Sequence, residues 1–389
     1  MMRFSKFRLA VLFAATAMTS AAMAATNYSP AKVIQAMKKD NTRLRIIAEH
    51  RGYFHQDCPE NSICSIEETT RENVEAVEID VRESGDGTLW PIHDTTLGRM
   101  TNYSLNGRLF DPYSTSQENE HNNPQISRVR DALLEKLKLR DPLGAVTDYA
   151  FLPLETMMHK VDQLNRNLVY IFDIKTASGI SKTADMIWRL GIQDRSILKF
   201  NSTLTSPSYV HSLTGGLYFV PVIGTGSLDT IADHYHQEKS TPAERVGAYA
   251  MDYAHTAGFV YFELRNKMFG GRTSGSELSG VYFEGPMLKL DTQLAFAGVP
   301  IGGFSPQVEH YARNGQPGTG YYSVDGHCCT PLEARLDSSR DFGNDTRDDR
   351  SNTHQMVAVN QVIIAERAGD ALAEARRTGA RADQNSILY

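Results

Sequence analysis

Short apolar runs recur along this chain, and each gives way to residues that can do chemistry. Ile46-Ile47-Ala48 leads to His50-Arg51-Gly52, Ala76-Val77 leads to Glu78-Ile79-Asp80-Val81, and Leu89-Trp90-Pro91-Ile92 leads to His93-Asp94. Runs of this length bounded by polar residues predict buried strands. The same pattern predicts strands at 168–175, 196–201, 216–223, 260–264, 298–305 and 320–325. Helices are expected at 65–73, 129–139 and 355–377, and another is opened by Phe151-Leu152-Pro153-Leu154-Glu155 and runs through Leu164. In the first of these, Ser65 would cap the helix and Glu67 and Glu68 would sit in its first turn, where the positive end of the dipole favours acids. Ser84-Gly85-Asp86-Gly87 reads as a tight turn.

Side chains two apart on a strand point the same way, so Glu78 and Asp80 stand side by side. Two adjacent carboxylates repel unless a proton or a cation lies between them. A hard divalent cation held by oxygen ligands is the simplest resolution. Taken singly, a histidine at a strand end is most often a satisfied polar residue, and an acidic pair on a strand is most often solvated. Recurrence changes that reading. His-Arg, Glu-x-Asp and His-Asp follow three successive runs, and in a parallel barrel the C-terminal strand ends converge on one mouth.

These residues, with Pro59-Glu60-Asn61-Ser62, Asp86-Gly87 and His93-Asp94-x-x-Leu97-x-Arg99-x-Thr101-Asn102, resemble the glycerophosphodiester phosphodiesterases. The resemblance covers the first third of the mature chain well and the rest in outline. It implies an α/β fold, a (β/α)8 TIM-type barrel, here with an insertion after the third strand and a divergent C-terminal part. It also implies one divalent metal, Ca²⁺ or Mg²⁺, and two histidines, His50 and His93, acting as general acid and general base. Glu78 and Asp80 would be metal ligands. Asp173 would be the third, where the family usually carries Glu in a Glu-x-Lys pattern. Arg51 and Lys175 would hold the substrate phosphate. The reaction implied is hydrolysis of a small glycerophosphodiester to glycerol 3-phosphate and an alcohol. The family's closing motifs, Trp-Thr-x-Asn and Thr-Asp-x-Pro, are not visible as such, which leaves the substrate side of the pocket open. Lys199 and Glu263 are further candidates for the mouth. Rival readings are a related barrel phospholipase, either sphingomyelinase D-like or phosphatidylinositol-specific phospholipase C-like, a degenerate barrel serving as an envelope binding module, and a structural or adhesion protein.

Residues 1–24 read as a signal peptide. Arg3, Lys6 and Arg8 precede a short apolar run, and Ala22-Met23-Ala24 is a cleavage signature. That run is shorter than the ~20 residues a membrane span needs, and no later segment is apolar enough to span. The expected protein is exported, periplasmic or secreted. Residues 25–389 form one domain, since an α/β barrel takes roughly 250 residues and more with insertions. Residues 103–150 are polar and irregular and read as an insertion over the mouth, and 340–352 as a mobile loop. The net charge of −6 comes without a basic stripe, which argues against nucleic acid as a partner. Four cysteines in an exported chain permit disulfides. A Cys58–Cys64 bridge would pin the loop after the first strand, and the adjacent Cys328 and Cys329 leave the connectivity open.

Overall fold

Inward-facing positions on eight parallel strands change from apolar to charged along the strand direction, and this gradient builds the site. The computed structural model describes residues 28–39, 44–110, 112, 122–164, 167–235, 240–267, 286–306, 321–324, 327–331, 336–345, 350 and 352–381. The expected signal peptide lies outside them. The strands are β1 Ile46–Glu49, β2 Ala76–Glu83, β3 Val169–Ile174, β4 Ser196–Asn201, β5 Tyr218–Ile223, β6 Phe262–Leu264, β7 Ile301–Ser305 and β8 Val362–Ala365. Each pairs in parallel with its neighbours, and β8 returns to β1, which also pairs with β2. The sheet is a closed eight-stranded barrel with helices outside, consistent with the TIM-type fold.

Inside the barrel, Ile46, Ala48, Ala76, Val169, Ile171, Ile197, Val220, Tyr261, Val362 and Ile364 pack in one apolar cluster. The helix Pro30–Met37 adds Val33, Ile34 and Met37 to that cluster. Further along the same inward rows the side chains become Glu78, Asp80, Asp173, Lys199 and Glu263. Outward positions of the same strands, such as Val77, Ile79, Tyr170, Phe172 and Leu198, pack with Met158, Val161, Ile180 and Ile187 of the surrounding helices.

Several elements differ from the sequence expectation. Leu89–Trp90 is not a barrel strand. It runs antiparallel to the end of β2, because the turn at Ser84-Gly85-Asp86-Gly87 is far too short for the crossover a parallel strand requires. The strand at 168–175 is therefore third in the barrel, and the insertion falls after the second. Residues 129–139 are not one helix. A turn of helix at Asp131–Leu134 gives way to a strand, Lys138–Arg140, that pairs with Val146–Ala150. Leu137 and Leu139 are buried on either side of the exposed Lys138, a period of two. The expected final helix is split into Thr353–Val359, strand β8 and Ala368–Arg377. Val362 and Ile364 face inward and Ile363 and Ala365 outward, and a run buried on both faces carries no period to read. Tyr321–Val324 does not close the barrel but pairs with His327–Pro331 as a hairpin. The first barrel helix is Ile63–Thr69, capped by Ser62 rather than Ser65, with Ser65 completing the reciprocal capping box. Of the expected mobile loop, 340–345 is held against the helix Thr225–His234. Ser339 Oγ and the Arg340 N–H donate to Asp229 at 2.8 and 2.6 Å, and Arg340 pairs with Asp233 at 2.8 Å.

The stretch 122–150 packs its Ile126, Leu134, Leu137 and Leu139 in a small cluster with Trp90, Ile92, Leu97 and Phe151 of the flanking segments. Its Asp141 accepts from the Asp57 N–H at 3.1 Å. This ties the insertion to the loop after β1.

Glu49 points away from the barrel interior. Its Oε1 accepts from the N–H of Ala368, in the first turn of the last helix, at 3.3 Å. Burial, reinforced by Glu72, Glu366 and Asp370, pushes its pKa up to about 8. Between the ordinary 4.5 and about 8, the folded chain keeps a proton that the unfolded chain has lost. Stability is therefore full below that window and falls as pH rises through it. At neutral pH the cost is on the order of 3 kcal/mol. Glu49→Gln keeps the acceptor and removes the titration. Its melting temperature is expected to exceed the parent's by a margin that widens from about pH 5 to about pH 8. A margin that stayed constant across the titration would show that Glu49 is not protonated in the fold.

Candidate active site

Three carboxylates meet at the C-terminal end of the barrel. Asp80 on β2, Asp173 on β3 and Lys199 on β4 lie in one register row across adjacent strands. Glu78, two residues before Asp80, shares its face. Glu78, Asp80 and Asp173 each offer an oxygen within 4.8 Å of the others. Two ammonium groups sit among them. Lys175 Nζ lies 2.8 Å from both Asp80 and Asp173. Lys199 Nζ lies 3.3 Å from Glu78, 3.3 Å from Asp173 and 2.9 Å from Glu263 on β6.

The loop after β1 wraps this cluster. Arg51 and Gly52 are both left-handed, at φ 60° and 75°. A Cβ on Gly52 would come within 2.7 Å of the Ser65 backbone, so only glycine lets the chain turn there without displacing the helix. The turn brings Pro59-Glu60-Asn61-Ser62 over the carboxylates. Asn61 Nδ2 donates to Asp80 Oδ2 at 3.0 Å, and the Asp80 N–H donates to Asn61 Oδ1 at 2.9 Å. Cys58 and Cys64 are bridged, with Cα atoms 5.6 Å apart, so the loop that carries Glu60 and Asn61 is closed covalently. Cys328 and Cys329 lie on a strand whose side chains fall outside the described residues.

His50 and His93 flank the cluster. His50 follows β1, and its Nε2 lies 3.7 Å from Glu78 Oε2. His93 follows the antiparallel strand, and its Nδ1 is 2.9 Å from Asp94 Oδ1. A chain of ion pairs runs inward from there. Arg99 donates to Asp94 at 2.7 and 3.0 Å and to Glu60 at 2.7 and 3.0 Å. Arg51 meets Glu60 and Asp80, each at 3.3 Å. His93 is thus linked through Asp94, Arg99, Glu60 and Arg51 to a carboxylate of the cluster. Its side chain remains 31% exposed, whereas that of His50 is 8% exposed, so His93 is the ring more open to solvent.

Burial and the Arg51 cation lower both histidines, so they are neutral near pH 7. Burial holds Glu78 well above the usual carboxylate range, and Asp80 and Asp173 add to the rise. For Asp80 and Asp173 burial acts in the same sense but is outweighed by nearby cations, chiefly Lys175, and both lie below the usual range. These groups fit a divalent cation. Six carboxyl groups, Glu60, Glu78, Asp80, Asp94, Asp173 and Glu263, touch four cations, Arg51, Arg99, Lys175 and Lys199, which leaves two negative charges when all six are ionised. Glu78 Oε1 and Asp80 Oδ1 are buried and accept no hydrogen bond, meeting only the lysine ammoniums as ion pairs. The donors are all oxygen, as a hard cation requires.

Residues 50–209, which hold every member of this cluster except Glu263, match the glycerophosphoryl diester phosphodiesterase family. Over these residues the chain is similar to that family. Glycerophosphodiester phosphodiesterase 1 of Homo sapiens is 29% identical over 151 residues, 38% of this chain and 40% of that protein. The Rattus norvegicus protein of the same name is 31% identical over 155 residues, 40% of this chain and 41% of its own length. The chain thus matches about two fifths of the length of these relatives. The likeness of fold extends further. A glycerophosphoryl diester phosphodiesterase from Parabacteroides distasonis superposes with a TM-score of 0.53 over 90% of this chain and 92% of that one, at 14% identity.

His50, Arg51, Glu78, Asp80, His93, Asp173, Lys175, Lys199 and Glu263, all candidates from sequence, fall at this mouth, and Cys58 and Cys64 in the bridged loop beside it. The same segments also hold residues whose contacts sequence alone left blank. Glu60 and Asp94 anchor the two arginines, and Asn61 orients Asp80. Lys199 and Glu263 form a buried pair against Glu78 and Asp173. Their signal was the apolar strand interrupted by one charge on the inward face. Read one strand at a time, that charge is indistinguishable from a solvated one.

Proposed function

We propose that this chain hydrolyses glycerophosphodiesters to glycerol 3-phosphate and an alcohol, with a divalent cation, Ca²⁺ or Mg²⁺, held by Glu78, Asp80 and Asp173. The observation that carries this reading is the meeting of three carboxylates and two neutral histidines at one barrel mouth, within the segment that matches the family. When bound, the cation supplies positive charge against the charge that develops on the phosphate. Lys175, 20% exposed at the rim, offers a point charge to a phosphate oxygen. Arg51 offers a planar donor from the opposite side. One histidine accepts the proton of the attacking water through its ring nitrogen. The other, protonated once the anionic phosphodiester binds beside it, gives that proton to the departing alkoxide, which is a poor leaving group near neutral pH without one.

We also place the protein outside the cytoplasm. The leader at 1–24 and the Cys58–Cys64 bridge support this, because disulfides persist in oxidising compartments. Among the described residues no helix is long and apolar enough to cross a membrane.

Purified protein supplied with Ca²⁺ or Mg²⁺ is expected to release glycerol 3-phosphate from glycerophosphocholine and related diesters. Cleavage of lysophospholipid with no release from glycerophosphocholine would instead favour a barrel phospholipase and overturn this reading.

A further inference from the structure

Barrel closure sets a carboxylate from the last strand against the histidine that follows the first. β1 and β8 pair with Glu49 opposite Ala365. One step further along, His50 and Glu366 stand side by side, and the His50 N–H donates to the Ala365 carbonyl at 2.9 Å. Glu366 Oε1 lies 3.2 Å from His50 Nδ1, a close polar contact short of an aligned hydrogen bond, and both side chains are buried. The ring of Phe304, on β7, covers His50 with centroids 4.3 Å apart and a tilt of 40°. His50 Nε2 is turned to Glu78 and the cluster. The ring is therefore held on one edge and one face, and its other nitrogen is left to the site.

We propose that Glu366 is the positioning residue of His50. A carboxylate is an acceptor only. Against Nδ1 it selects the tautomer with the proton on Nδ1, so that Nε2 presents its lone pair to the mouth. The partner of a ring nitrogen fixes both tautomer and orientation in this way. Glu366 touches no substrate and acts through the ring. The role rests on the function proposed above, but its first test does not need turnover.

Histidine ring ¹⁵N–¹H spectra report the tautomer directly, with the His50 signals assigned by their loss in His50→Ala. In the parent, His50 is expected in the Nδ1–H form. Glu366→Ala should give a mixture of tautomers, and Glu366→Gln, which keeps an acceptor oxygen, should retain the Nδ1–H form. Parent spectra with His50 in the Nε2–H form, or spectra unchanged in Glu366→Ala, would overturn the proposal whether or not the enzyme is active on the diesters tried.

Turnover then supplies the second readout. Glu366→Ala should lower kcat about 10–100-fold, the scale of a small misplacement of a catalytic group. KM should stay within about threefold and Glu366→Gln should recover part of the loss. On a His50→Ala background, Glu366→Ala should cost nothing more, because it acts only through that ring. A full additional loss there would mean that Glu366 works through the fold and not through His50.

Discussion

His50→Ala and His93→Ala are each expected to lower kcat by roughly two to four orders of magnitude, the usual worth of general acid–base catalysis. Each ring has a carboxylate on its Nδ1 edge, Glu366 for His50 and Asp94 for His93. Each is held neutral near pH 7 by burial and the nearby Arg51. Neither is among the three carboxylates that can hold a cation, so metal affinity should be kept in both variants. KM should change far less than kcat, because an interaction made in the transition state is what is lost. The double variant should be little slower than the worse single one if the two act in one step. Near-parent turnover in either single variant, with metal affinity retained, would remove that histidine from the mechanism.

The second large effect is loss of activity when the cation is removed. Excess chelator should abolish hydrolysis, and Ca²⁺ or Mg²⁺ should restore it. Asp173 is the sharpest probe, since the family usually carries Glu there. Its Oδ2 meets both Lys175 and Lys199, and it lies within the carboxylate cluster. If it is a ligand, Asp173→Ala should weaken apparent metal affinity by about one to two orders of magnitude, so that added metal partly rescues turnover. Asp173→Asn keeps the size but loses the charge and should bind a hard cation more weakly. Asp173→Glu restores the family's usual residue and should be the mildest of the three. Metal titrations of turnover and of thermal stability read the same affinity twice. Unchanged metal affinity in Asp173→Ala and Asp173→Asn would leave Asp173 with the lysines alone.

The local half of the site was readable along the chain. Glu78 and Asp80 share a face because a strand alternates, whatever it packs against. His50-Arg51-Gly52 and Pro59-Glu60-Asn61 lie within a dozen residues of each other, and their geometry is that of one loop returning on itself. Its turn demands glycine at 52, and the bridge of Cys58 to Cys64 joins positions six apart. The barrel strands from β3 to β7 also announced themselves as apolar runs.

What the chain pattern left undecided were relations between distant strands. Leu89–Trp90 looks like a barrel strand by composition, and only the length of its connection makes it antiparallel. The closing strand Val362–Ala365 hides within a stretch that looks helical, because both of its faces are buried. Its burial depends on β1, 316 positions away at Ile46↔Val362. Lys199 and Glu263 were candidates for the mouth with no partner assigned, and Glu366 is an ordinary charged residue in sequence. Residue type and alternation determined by themselves which side chains could do chemistry and which face of each strand carried them. Barrel closure and register decided which of them meet, since a carboxylate's role depends on the cation or ring that another strand sets within about 3 Å of it.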